Sequence, residues 1–115
     1  MKTYKGQLKL DSYGESDDVL FISTIDTPLV EALGWISGKK AIVRYCVTEK
    51  QTTKEESEDQ FLKKLMGVAE VEFNTRYSEI TDYLWTDEEL NIGGHDIIAE
   101  LKSYIGEWLI LEIET

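Results

Sequence analysis

Hydrophobic and polar positions alternate along much of the chain: Leu8 and Leu10 flank Lys9, Val71 and Phe73 flank Glu72, and Val43, Tyr45 and Val47 share one parity, as do Leu111 and Ile113. Successive strand side chains point to opposite faces, so this pattern predicts strands at about 3–11, 18–25, 40–49, 68–75, 82–86 and 107–114. Tyr13-Gly14-Glu15-Ser16-Asp17 reads as the turn between the first two. A short helix is expected after Thr27 as N-cap, with Pro28 at the first helical position, where its missing N–H costs nothing. A second is expected at about 96–105. A third, at about 53–66, would open on the capping box Thr53-x-x-Glu56 and bury Phe61, Leu62, Leu65 and Met66.

These elements fall into two ββαβ units. Leu33, Gly38 and Ile42 recur as Leu101, Gly106 and Ile110 at an offset of 68. Tyr13, Glu15, Asp18 and Leu20 recur as Tyr77, Glu79, Asp82 and Leu84 at an offset of 64, with Phe21 answered by Trp85. The expected fold is therefore α+β: one repeat at about 3–50, a linking helix at about 53–66 and a second repeat at about 67–115. The strands would form a mixed or antiparallel sheet, closed in one version as a small barrel. A unit of roughly 50 residues buries too little surface to stand alone, so residues 1–115 are read as one domain with a shared core.

Charge separates the two halves. Residues 1–54 carry a net +1 and residues 55–115 a net −12, within a chain of net charge −11. Such an excess repels phosphates, which argues against direct binding of nucleic acid or an anionic membrane. No run approaches the roughly 20 apolar residues that cross a bilayer, and the N-terminal residues lead into an alternating strand rather than a signal-peptide core. A single cysteine, Cys46, makes no internal disulfide and suits a cytoplasmic setting. The acidic excess reads either as a solvating surface or as a patch formed by Glu55, Glu56, Glu58, Asp59, Glu79, Asp82, Asp87, Glu88 and Glu89 that meets a basic groove on a protein partner. Of these, Glu79, Asp82, Asp87, Glu88 and Glu89 are the expected partner-binding residues.

Gly93-Gly94-His95-Asp96 is the most motif-like stretch. Glycines before a helix can cradle an anion on free N–H groups, and the only histidine stands beside a carboxylate that could orient it. The alternative is a glycine turn with a polar cap, because the repeat places His95 and Asp96 where Thr27 and Pro28 stand. Catalysis has little else to build on. One histidine and one cysteine do not make a zinc site, Asp87-Glu88-Glu89 lacks the spacing of a calcium loop, and Cys46 reads as a packed thiol, so no metal, cofactor or catalytic residue is assigned. Trp35, Trp85, Trp108, Tyr77, Tyr83 and Tyr104 read as junction packing or partner anchors; Trp108 with Ile110 would form a half-covered patch suited to an interface or dimer seam.

Through Tyr83-Leu84-Trp85-Thr86 and Gly93 to Gly106, running on to Leu111-Glu112-Ile113, the chain resembles small uncharacterised proteins encoded by phages and mobile elements. The resemblance covers the last third. It implies a non-enzymatic accessory role, such as modulating or inhibiting a host protein, and assigns no functional residue; the acidic excess of residues 55–115 points to the basic surface of a nucleic-acid-handling protein as the target. A small-ligand or anion-binding protein using the Gly93–Asp96 turn is the alternative.

Overall fold

The computed structural model describes residues 1–14, 16–48 and 63–115. Of these, 62% are in strands and 15% in helical turns. The strands among the described residues are β1 (Lys2–Tyr13), β2 (Ser16–Ile22), β3 (Lys40–Thr48), β4 (Lys63–Val68), β5 (Glu70–Ser78), β6 (Tyr83–Ile92), β7 (His95–Asp96) and β8 (Trp108–Glu114). Helix α1 (Leu29–Ala32) precedes β3, and α2 (Ile97–Leu101) precedes β8; each continues into one 3-10 turn. The expected α+β class is thus corrected to a mainly β fold. Its helical segments are single turns filling the ends of a sheet, too short to form a layer of their own.

The first sheet has the order β2-β1-β8-β3-β4, with every neighbouring pair antiparallel. It curls as a half-barrel rather than closing. The curl begins in β1, whose residues from Lys2 to Gln7 pair with β8 while Leu8 to Tyr13 pair with β2. The concave face gathers Tyr4, Leu8, Leu20, Ile22, Val43, Tyr45, Leu109, Leu111 and Ile113 with Leu29, Val30 and Leu33 of the first helical segment and Ile97, Ile98 and Leu101 of the second. The second sheet, β5-β6-β7, lays Leu90 and Ile92 into the same core, beside Ala69 at its entry.

The joining helix is overturned over its described part. Residues 53–62 of its expected span lie outside the described residues, but Lys63 to Met66 belong to β4, paired with Tyr45 to Ile42 of β3. Leu65 packs against the core while Met66 is exposed, so the apolar pair that reads as a helical stripe is split by strand parity. Gly67, at φ 150°, is a poor helix residue in any case.

Local geometry recurs between the halves even though the sheets do not. Asp18 and Asp82 both adopt positive φ, as do Gly38 and Gly106, and each helical segment leads into one of the adjacent strands β3 and β8. However, β1 and β2 lie in the first sheet and β5 and β6 in the second, so the halves are not equal units.

Two expectations about α1 and the Trp108 face also change. Pro28, not Thr27, is the N-cap, and no side chain caps it. Trp108 and Ile110 are buried with Cys46 in a second small cluster on the convex side of the first sheet, so they present no open apolar patch.

Gly6 sits where β1 changes neighbours. A Cβ there would lie 3.0 Å from Ile22 Cβ and Thr24 Oγ1 and 3.1 Å from Ser23 N. Two of those atoms are fixed by the backbone of β2 and the residue after it, so Gly6→Ala should force the sheet edge outward. The expected loss is about 1–3 kcal/mol, read as a lowered urea midpoint with unchanged slope.

Candidate functional site

The hairpin β5–β6 sorts its charges by strand parity. Its register pairs Val71 with Leu90, Phe73 with Glu88 and Thr75 with Thr86 on one face, and Glu70 with Asn91, Glu72 with Glu89, Asn74 with Asp87 and Arg76 with Trp85 on the other. The first face turns inward: Leu90 is in the core, Val71 and Phe73 pack against it, and Thr86 Oγ1 lies 2.7 Å from Ser16 Oγ. Phe73 also meets the edge of Tyr13 at 5.5 Å between ring centroids. The second face therefore points away from the core. It presents Glu70, Glu72, Asp87 and Glu89, with the guanidinium of Arg76 held between Glu72 and Asp87.

Arg76 is held from both strands. It donates through Nε to Asp87 and through a terminal nitrogen to Glu72 Oε1 at 3.2 Å, and these acceptors raise its pKa further above an already high value, Asp87 contributing most. Trp85 Nε1 donates to the other Asp87 oxygen at 3.2 Å and its ring stacks on Tyr83, 14° from parallel at 6.0 Å. At the end of the hairpin, Glu79 and Asp82 lie in the turn, where Tyr77 Oη donates to Asp82 Oδ1. That contact raises the phenol's pKa, since ionising it would give up the hydrogen bond to Asp82. Ile80 at the tip is 97% exposed, with Tyr77 and Tyr83 more than half exposed beside it.

The five acidic residues expected to bind a partner are thus not one surface. Asp87 and Glu89 share the outward face and Glu79 and Asp82 the tip, but Glu88 points the other way. Its side chain is fully buried. Its two oxygens share the N–H of Leu20, at 3.0 and 3.2 Å, and one accepts from Lys102 Nζ at 2.7 Å. Glu88 is corrected from a partner-binding residue to a tie that satisfies the backbone of edge strand β2. Glu55, Glu56, Glu58 and Asp59 lie outside the described residues. Glu70 and Glu72, passed over in the sequence, complete the outward face; the alternation Glu70-Val71-Glu72-Phe73 is the signal that could have found them.

Gly93 and Gly94 form the two-residue turn between β6 and β7, both at positive φ, as the paired Ile92 and His95 require. A Cβ placed on Gly93 would stand 3.2 Å from Met66 O, so the turn lies close against β4. His95 is exposed. Asp96 is the N-cap of α2, its Oδ1 accepting from Ile98 N at 3.1 Å and Ala99 N at 3.4 Å, and also from Leu90 N at 3.3 Å. One oxygen of the Asp96 carboxylate is thus engaged within the fold.

Elsewhere, a groove of about 460 Å³ lies over the adjoining ends of β3, β4 and β8, lined by Lys40, Ala41, Ile42, Met66, Gly67, Glu114 and Thr115. None of its lining residues belongs to the β5–β6 hairpin. Among the described residues, no three or more His, Cys, Asp and Glu side chains gather to hold a metal ion, and no helix is long and apolar enough to cross a membrane. No protein-family model, curated protein or solved structure matches the chain.

The two classes of carboxylate should respond differently to mutation. Glu88→Ala strands a buried N–H and uncouples Lys102, and is expected to cost about 2–3 kcal/mol. Glu89→Gln, on the half-exposed outward face, should stay within about 0.5 kcal/mol. Equal urea midpoints for the two variants would contradict this division.

Proposed function

We propose that the chain is an acidic protein-binding module whose outward β5–β6 face and hairpin tip occupy a basic surface of a partner, in the manner of an accessory or inhibitor protein acting on a nucleic-acid-handling host protein. The observation that carries this reading is the one-sided distribution on β5–β6. Four carboxylates face outward on a rigid hairpin, and a stacked Tyr83–Trp85 pair stands among them. Carboxylates spaced along a strand can be met by Lys and Arg side chains that otherwise track phosphates, and the aromatic pair supplies apolar anchoring area at little entropic cost. Such a role needs binding rather than chemistry. The Gly93–Asp96 alternative is the weaker one, since the Asp96 carboxylate already accepts three backbone N–H groups.

The test compares the native chain with a variant carrying Gln in place of Glu70, Glu72 and Glu89 and Asn in place of Asp87, leaving Glu88 intact, as bait in lysate of the source cell. Native bait is expected to retain nucleic-acid-binding proteins that are released by heparin or by raising salt from about 0.1 M to 1 M, where screening shortens to roughly 3 Å. The neutralised variant should lose them while keeping its urea midpoint. Identical capture by both baits, or capture indifferent to salt and heparin, would overturn the proposal.

A further inference from the structure

We infer that the free edge of β5 pairs with the same edge of a second copy, in an antiparallel, two-fold register centred on Asn74. In the order β5-β6-β7, β5 is the terminal strand, with no strand on its other side among the described residues. Asn74, Thr75, Arg76 and Tyr77 are exposed there. Such an edge carries unpaired backbone donors and acceptors, and proteins ordinarily blunt it with charge. Here the charge narrows the choice of register instead.

Antiparallel self-pairing about Asn74 sets residue 72 opposite residue 76. Each copy's Glu72 then faces the other's Arg76, giving two ion pairs related by symmetry. On the opposite face Val71 meets Tyr77 and Phe73 meets Thr75, pairings of β-branched with aromatic side chains that favour a sheet. Two other arrangements oppose like charges, whereas centring on Phe73 would set Glu70 against Arg76 but bring Tyr77 to Ala69, whose edge is already taken by Gly38 and Lys39. Centring nearer the start of the strand, on Val71, opposes Glu70 to Glu72, and parallel in-register pairing stacks Glu70 on Glu70 and Glu72 on Glu72.

The pairing also has a natural stop. The Asn74-centred register carries the partner's Glu79 to the level of Ala69, whose edge is already taken: Gly38 N donates to Ala69 O at 2.8 Å and Ala69 N to Lys39 O at 2.9 Å. The acidic tip of one copy therefore arrives beside Lys39 of the other, whose ammonium lies 5.5 Å from the centre of the Trp35 ring, with that of Lys2 5.9 Å from the same ring. Opposite charges meet at both places.

The experiment is sedimentation velocity on the full chain and on Glu72→Arg, Arg76→Glu and the double exchange, in a concentration series reaching roughly 1 mM, the weak end of specific association. The native chain is expected to dimerise and each single variant to bind itself about tenfold or more weakly, because like charges then stand opposite. The two single variants mixed together should form a heterodimer, since one copy then carries arginine at both positions and the other carries glutamate at both. The double exchange should restore the homodimer. Recovery on mixing also shows that both variants are folded. A native chain that stays monomeric throughout, single variants that dimerise like the native chain, or a mixture that fails to associate would each overturn the inference. This outcome does not depend on what the acidic face binds.

Discussion

Everything in this fold depends on how one continuous stretch of chain passes from the first sheet to the second at Ala69. β4 ends at Val68 and β5 begins at Glu70, so a single residue separates membership of the two sheets. Ala69 is fully buried, and both of its backbone polar groups are taken by Gly38 and Lys39, in line with the β3–β4 ladder. A buried crossing needs that satisfaction, because an unpaired backbone group there would cost about as much as a lost hydrogen bond. Gly38, at φ 80°, lets the turn before β3 deliver it. The crossing in turn sends the β5–β6 hairpin across the mouth of the half-barrel, where Leu90 and Ile92 close the core.

A second tie stops the hairpin from swinging about that crossing. Glu88 reaches the Leu20 N–H on the edge of β2, and Lys102, the C-cap of α2, neutralises it. This is a buried charge used as a clamp between elements distant in sequence. Such a group contributes less to net stability than its contacts imply, since desolvation offsets much of the attraction, but removing one partner is expensive. It fixes one orientation of the hairpin, and so decides which of its faces is left to solvent. A lesser tie joins β4 to α2: Lys63 lies 2.7 Å from Glu100 and holds that carboxyl below the usual range, against the opposing effect of burial.

How much of this is legible in the sequence follows from which signals are local. Strand positions can be read from alternation, and the turns at Gly38 and Gly106 from glycines at matching places. The short helices can be located but not sized, because Ile97 to Leu101 fill one turn of core space and the 3-10 segment after them is set by packing. β4 escapes a sequence reading for a physical reason. Leu65 and Met66 sit beside Phe61 and Leu62 at helical spacing, and only the pairing with β3, a tertiary fact, shows that Leu65 and Met66 face opposite ways. Glu88 shows the same limit from the other side. Within Asp87-Glu88-Glu89 composition gives three equivalent carboxylates, whereas the pleat gives two outward and one inward, and the inward one can be charged only because Leu20 and Lys102 wait for it.

Part of the charge asymmetry of the chain follows from this architecture. The first sheet has apolar clusters on both of its faces, the main core on the concave side and Cys46, Trp108 and Ile110 on the convex, and the carboxylates of its central strands, Asp11 of β1 and Glu112 and Glu114 of β8, lie toward the strand ends. The second sheet packs on one face only. Its outward face and tip have no core to fill, so strand parity alone lets Glu70, Glu72, Asp87 and Glu89 accumulate without burial cost, and Arg76 between two of them limits their mutual repulsion. A solvating surface would need no more than that. The proposed binding role asks in addition for preorganisation: the hairpin is anchored at Ala69 and at Glu88 and its Tyr83–Trp85 stack is preformed, so little conformational freedom would be lost in meeting a partner.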